Sequence, residues 1–286
     1  MFGFLNVNKP SGMSSHKVIS VLRKITGIKQ IGHAGTLDPL ASGVLPIAIG
    51  KASKLIDYMP EDKAYIANMY LGKVSDTYDT EGTIEETGYR KIMLEEIQMA
   101  LNSFRGKVVQ IPPAFSAVHY NGKRLYELAR NGEIPDDIPT REIEVYKNEI
   151  VSFDYENQIL KIEVECSKGT YIRSIVHDLG QMLGCGAVMF ELIRTKSSGF
   201  FINNSIELSE NLAKDVVFSS LVNPLNILDM KTYEINEYEF NKLLNGNKFK
   251  CRNNFALSDI LLTKNGKILA IAKVEGEFIQ PRKVLL

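Results

Sequence analysis

Cysteine is scarce in this sequence, with three residues in 286: Cys166, Cys185 and Cys251. No Cys-x-x-Cys pair occurs, and His16, His33, His119 and His177 do not fall at zinc-ligand spacings. A disulfide framework and a structural zinc site are therefore not expected. Neither Gly-x-x-x-x-Gly-Lys-Ser/Thr nor a Rossmann glycine fingerprint is present, so ATP-driven and nicotinamide chemistry have no support. No window approaches the roughly 18 apolar residues of a membrane span. The N-terminus lacks the basic start and long apolar stretch of a signal peptide. A cytoplasmic protein with reduced thiols is expected, with no membrane partner. Internal repeats and low-complexity segments are absent as well.

Net charge is also missing, since 34 basic and 34 acidic residues cancel. The cancellation hides an asymmetry. Residues 1–60 hold seven Lys/Arg against two acids, residues 61–100 nine acids against four bases, and residues 245–286 eight bases against three acids. Basic ends around an acidic middle suggest a polyanion-binding face and a solvated back. The 44% hydrophobic and 24% charged content is that of a globular chain with a sizeable core. At this length, one large domain with an appendage or two domains are expected.

Phe4–Val7 has the pattern of a short strand. Val18, Ile19, Val21, Leu22 and Ile25 form an apolar stripe at helical period, with Ser15 as the expected N-cap and Gly27 as the stop. Residues 31–43 carry three glycines and a proline and are expected to form a structured loop before a buried strand, Val44–Ile49. Further strands are expected at Ala64–Lys73 and Val108–Ile111. A helix is expected over Ile92–Phe104. Ala114–Tyr120, the Asn121-Gly122 turn and a basic helix Lys123–Asn131 follow. Glu142–Tyr155 and Gln158–Cys166 alternate at period two as an antiparallel pair. Then come helix Tyr171–Leu183, strand Val188–Thr195 and helix Ser209–Asp215. Beyond a boundary near Lys231, helix Glu237–Leu244 and a hairpin around Lys264-Asn265-Gly266 close the chain. Strands and helices interleave without a regular βαβ beat, which favours a mixed α+β sheet.

Gly32-His33-Ala34-Gly35-Thr36-Leu37-Asp38-Pro39 concentrates an imidazole, one carboxylate and permissive glycines in eight residues. With Leu40-Ala-Ser-Gly-Val-Leu-Pro46 it resembles the catalytic-loop signature of the TruB-type tRNA pseudouridine synthases. Three more segments match in order. Lys9-Pro10-Ser11-Gly12-Met13-Ser14-Ser15 is similar to the family's N-terminal motif, Lys63-Ala64-Tyr65 to its tyrosine-bearing strand, and Cys166–Arg173 to its arginine motif. The match runs on to about residue 196 through Leu183–Ala187 and Leu192-Ile193-Arg194.

The resemblance implies an α+β fold with a mixed, largely antiparallel sheet flanked by helices. It implies a catalytic domain at 1–230, with an RNA-gripping arm at 112–132, and a small β-rich PUA-like domain at 231–286. The implied activity is isomerisation of a T-arm loop uridine of tRNA, uridine 55, to pseudouridine. This reaction needs no energy source or redox partner, so neither cofactor nor metal is expected. A monomer without an obligate protein partner is implied.

By resemblance Asp38 is the nucleophile, and Arg173 holds it ionised and oriented through a fork-shaped pair. Tyr65 stacks on the base and takes part in proton transfer. Tyr171 and Leu192 line the uridine pocket, and His33 fills the stack that the flipped base vacates. Lys9, Lys17, Lys51 and Lys54 are candidate phosphate contacts. The alternatives are an RNA-binding or RNA-folding protein without catalysis, and a guide-RNA-dependent rRNA synthase.

Overall fold

The computed structural model describes residues 2–209, 211–252 and 257–286. Its strands begin with β1 (Gly3–Lys9), β2 (Ile31–His33), β3 (Ser42–Ile49), β4 (Lys63–Leu71), β5 (Lys73–Ser75) and β6 (Ile84–Glu86). They continue with β7 (Gly106–Gln110), β8 (His119–Tyr120), β9 (Lys123–Arg124), β10 (Arg141–Asp154) and β11 (Ile159–Cys166). After β12 (Ala187–Ser197), β13 (Phe200–Phe201) and β14 (Ile206–Glu207), the C-terminal unit adds β15 (Thr232–Glu234) and β16 (Phe249–Lys250). It ends with β17 (Asp259–Lys264), β18 (Lys267–Glu275) and β19 (Phe278–Val284). The helices are α1 (Ser15–Thr26), α2 (Leu94–Asn102), α3 (Leu125–Arg130), α4 (Ile172–Met182), α5 (Lys214–Ser219) and α6 (Glu237–Leu244).

The main sheet runs β14-β1-β3-β12-β4-β11-β10-β7, with β2 on β3 and β13 on β12. Only the β1–β14 and β3–β12 pairs are parallel, so the sheet is mixed and largely antiparallel. β12 reaches its place beside β3 through Gly43, whose backbone has φ +102°; a Cβ there would stand 2.3 Å from the Arg194 carbonyl oxygen. Only glycine permits that contact. Helix α1 buries Val18, Ile19 and Leu22 in one core with β1, β3, β4 and β11, and α4 adds Ile172, Ile175, Val176 and Leu179.

Both Asn-Gly turns form as the sequence predicts. Asn121 and Gly122 have φ of 48° and 83°, and Asn265 and Gly266 have 52° and 70°, the left-handed pair of a two-residue hairpin. Other expectations need correction. Ser14, not Ser15, caps α1, accepting from the Lys17 N–H at 3.1 Å. Part of the expected 31–43 loop is strand β2, and Gly50–Tyr58 forms an unexpected 3₁₀ segment. The expected 209–215 helix is instead α5, several residues later, and Glu210 lies outside the described residues. Within Ala114–Tyr120 only His119–Tyr120 is strand.

The second sheet, β15-β17-β18-β19-β16, carries its own small core of Tyr233, Ile235, Leu243, Phe249, Ile260 and Val274. Its other face is not free. Leu261, Ile268, Ile271 and Leu285 pack into one cluster with Phe4, Val44, Ala48, Leu55, Met59 and Phe200 of the main body. Burying a large aliphatic or aromatic side chain contributes roughly 1.5–3 kcal/mol, so this shared cluster fixes the two sheets together. Lys54 Nζ donates to the Val284 carbonyl at 2.8 Å, Lys51 Nζ to the Leu286 carbonyl, and Lys283 pairs with Asp57 at 2.8 Å. Lys51 and Lys54, expected on phosphates, are engaged in docking the C-terminal strand. No helix among the described residues is long and apolar enough to cross a membrane.

Candidate active site

Asp38 sits on a loop that is gripped from three directions. Ser15 is buried at the start of α1, where its hydroxyl donates to the Leu37 carbonyl at 3.0 Å and accepts from the Leu37 N–H at 2.9 Å. On the other side of Asp38, the Gly12 N–H donates to the Pro39 carbonyl at 2.8 Å and Ser11 Oγ to the Leu40 carbonyl at 2.7 Å. Lys9 Nζ donates to the carbonyls of Pro10, Met13 and Pro39 at 2.9, 2.5 and 3.3 Å. The Lys9–Ser15 segment thus acts as a brace for the carboxylate-bearing loop.

Lys9 itself is fully buried. Its expected role on an RNA phosphate is corrected accordingly: the ammonium faces backbone oxygens, and burial pulls its pKa down to about 8.

Arg194 supplies the third hold. It is wholly inaccessible, and its Nε, Nη1 and Nη2 donate to the carbonyls of Val44, Thr36 and Gly35 at 2.7, 3.3 and 3.1 Å. Sequence reasoning included Arg194 in a matching motif but gave it no role.

Arg173, in the first turn of α4, pairs with Asp38 at 2.9 Å. The arginine side chain is 6% exposed and the aspartate side chain 37%, so the guanidinium lies behind and the carboxylate faces the opening. Arg173 Nη1 also lies 3.5 Å from Asp79, whose side chain is 2% exposed, and donates to the Thr77 carbonyl at 3.2 Å; Nη2 donates to the Phe115 carbonyl at 3.0 Å. Asp79 is in turn held by Thr77 Oγ1 at 2.6 Å and the Glu81 N–H at 3.0 Å. Nothing in the sequence distinguished Asp79 from its acidic neighbours in the 76–82 turn. The signal is tertiary, and α4 brings it.

These groups floor a cleft of about 960 Å³ whose walls include His33, Tyr65, Tyr171 and Leu192. Tyr65 and Leu192 are buried, on the adjacent strands β4 and β12. Burial pushes the Tyr65 phenol pKa up, while the Arg194 charge opposes the shift. Tyr171 precedes α4, and Gln110 clamps it by accepting from its N–H at 2.8 Å and donating to its carbonyl at 3.0 Å. The Arg141 guanidinium lies 5.4 Å from the centre of the Tyr171 ring. His33, at the end of β2, keeps Nδ1 buried and without a partner; burial, then Arg194 and His16, lower its pKa. The imidazole is therefore neutral at neutral pH. Phe115, Ser116, Arg124, Tyr126 and Arg130 of the 112–132 segment close one side.

Of the ten residues singled out from the sequence, Asp38, Tyr65, Arg173, His33, Tyr171 and Leu192 converge on this cleft, Lys9 is buried behind the Asp38 loop, Lys51 and Lys54 hold the C-terminal strand, and Lys17 is exposed on α1. A carboxylate with a buried counter-ion, beside apolar and aromatic walls in an open cleft, suits covalent chemistry on a flat heterocycle.

Comparison with known proteins gives the chain's family. The model of the TruB family pseudouridylate synthase N-terminal domain matches residues 23–172, and that of the tRNA pseudouridylate synthase B C-terminal domain matches residues 173–224. Two proteins named tRNA pseudouridine synthase B, from Syntrophomonas wolfei and Lactobacillus johnsonii, are each 40% identical over 99% of this chain and 98% of their own. The one from Clostridium novyi is 49% identical over 73% of this chain and 72% of its own. In a solved Cbf5–Nop10–Gar1 complex, one chain superposes with a TM-score of 0.73 at 23% identity, over 100% of this chain and 85% of that one, a likeness of fold. With its loop, arginine motif and full length all matched, the chain belongs to the TruB family of pseudouridylate synthases.

Proposed function

We propose that this chain, a tRNA pseudouridine synthase, acts on the T-arm loop uridine at position 55, with Asp38 as its nucleophile. The observation that carries this reading is the 2.9 Å Arg173–Asp38 pair at the floor of a cleft walled by Tyr65, Tyr171 and Leu192. The uridine leaves its stack, the neutral His33 ring takes the vacated place, and the base lies on Tyr65. The Asp38 carboxylate forms a covalent bond to the nucleotide, and the N1–C1′ bond breaks. The base turns, C5 joins C1′, and C5 gives up its proton as the carboxylate departs. Arg173 pairs with Asp38 and keeps it aimed through these steps. The Tyr65 phenol, with its raised pKa, enters as a protonated group that stacks and donates.

The chain acts alone, as a monomer without guide RNA. The relatives that match it from end to end support that reading over a particle subunit. Binding without catalysis gives no reason to charge and aim a carboxylate at the cleft. Residues 1–230 form the catalytic unit and 231–286 a PUA-like hold on the RNA, supported by the separate five-stranded sheet. Tritium release from 5-labelled uridine in tRNA tests the assignment. Asp38→Asn should bind tRNA and release none; turnover within about tenfold of wild type would remove Asp38 from the chemistry.

A further inference from the structure

Lys63 opens β4 two residues before Tyr65, and the period of a strand puts both side chains on the cleft face. The other charged groups nearby are all engaged. Lys168 pairs with Glu61 and Lys196 with Asp62, which occupies the two acids that precede Lys63. Lys9 and Arg194 are held by carbonyl oxygens. Lys63 is left partly buried, and its side chain has no hydrogen bond or ion pair among the described residues.

Its position is defined all the same. A Cβ placed on Gly35 would stand 3.3 Å from Lys63 Nζ and 3.7 Å from Arg194 Nη1, so two cations converge on the catalytic loop at that glycine. Burial, then the Arg194 charge, pull the Lys63 pKa down to about 8 against the opposing pull of Cys166 and Glu61, as expected for an ammonium kept from water.

An ammonium in that state is unfavourable until an anion meets it. The edges of a uracil are neutral, and the anion that RNA brings is the phosphodiester. Two strand residues span about 6.6–6.8 Å, so Lys63 stands about one ring's width along the strand from Tyr65, within reach of the backbone of a nucleotide whose base lies on that ring. We propose that Lys63 is the binding site for a phosphodiester flanking the flipped uridine, holding the nucleotide's backbone while Tyr65 and Leu192 hold its base. This rests on the reading of the cleft as a uridine pocket.

The test uses the full chain and a T-arm stem-loop RNA in which the phosphate 5′ or 3′ of the target uridine is replaced by a neutral methylphosphonate. With wild type, one replacement should raise Kd about tenfold, as loss of a charge-assisted contact does. Lys63→Met should raise Kd on the unmodified RNA to the same extent, and should add nothing on that modified RNA. Lys63→Arg should bind like wild type. Single-turnover rates at saturating RNA should change by less than about threefold.

Losses that multiply at both phosphate positions overturn the proposal, as does unchanged affinity in Lys63→Met. A variant that binds normally but turns over slowly also overturns it, placing Lys63 in the chemistry. Thermal unfolding accompanies each variant. Should Lys63→Met not fold, Lys63→Gln carries the same cycle. Failure of wild type to isomerise the unmodified stem-loop would instead count against the reading of the cleft.

Discussion

Arg173 and Arg194 are both closed off from solvent and both reach the loop that carries Asp38, yet their partners differ in kind. Arg173 faces two carboxylates, one buried and one at the cleft, besides the Thr77 and Phe115 carbonyls. Arg194 faces three carbonyl oxygens and, among the described residues, no carboxylate. A guanidinium between carboxylates governs charge and aim. A guanidinium among carbonyls governs backbone shape, because it fixes the oxygens it meets at one distance and angle from its rigid fork. One loop is thus tuned from behind by charge and held from the side by shape.

The comparison can be broken from either side. Arg173→Met leaves Asp79 buried and uncompensated, which typically costs about 3–5 kcal/mol. Chemical denaturation should show that loss, and turnover should collapse while tRNA affinity falls little. Arg173→Lys should rescue poorly, lacking the planar fork. Arg194→Met should cost less stability, on the order of 2–3 kcal/mol for charged donors lost from buried carbonyls. Here turnover and stability should decline together, because the Gly35–Thr36 backbone that carries the loop is released.

Lys9 gives a smaller effect with a definite sign. Its folded pKa of about 8 lies below the ordinary 10.5, so between those values the unfolded chain holds a proton that the native chain has released. Stability from this group therefore rises with pH across that window. The wild-type minus Lys9→Met stability difference should grow from pH 8 to 10.5 by on the order of 2 kcal/mol, measured by denaturation at each pH.

The smallest effect concerns RNA phosphates. Lys17, Lys24 and Lys29 on and beside α1 are exposed and have no carboxylate partner among the described residues. Lys17→Glu should lower the slope of log Kd against log salt by about one without changing saturated turnover.

The C-terminal unit carries less free charge than its composition suggests. Of the eight bases in residues 245–286, Lys250, Arg252, Lys264, Lys273, Arg282 and Lys283 pair with acids, so its hold on RNA draws on few unpaired cations. Three of the six pairs draw on Glu239, Glu237 and Asp57, which lie outside that window, and a window count misses such pairing. Deleting residues 232–286 would also expose Phe4, Leu55, Met59 and Phe200, so it does not isolate RNA binding.

Local physics was the legible part. The α1 stripe, the two Asn-Gly hairpins and the alternating β10–β11 pair follow from periodicity and turn chemistry alone. The pocket residues were legible through motifs that keep their spacing. Ser15 illustrates the limit: an N-terminal serine reads as a cap, and only the folded loop shows that Ser14 caps while Ser15 holds both backbone groups of Leu37. Asp79 and Arg194 lie far in sequence from the groups they serve: no local pattern marks Asp79, and the motif that contains Arg194 does not tell its role.

The central claim is that Arg173 acts on Asp38 by charge and aim, beyond neutralising Asp79. The direct measurement compares Arg173→Met with the double variant Arg173→Met/Asp79→Asn, reading unfolding free energy and single-turnover isomerisation at saturating tRNA. Removing the stranded carboxylate should restore most of the lost stability and none of the lost turnover. Turnover that returns together with stability would contradict the account, reducing Arg173 to a counter-ion for Asp79.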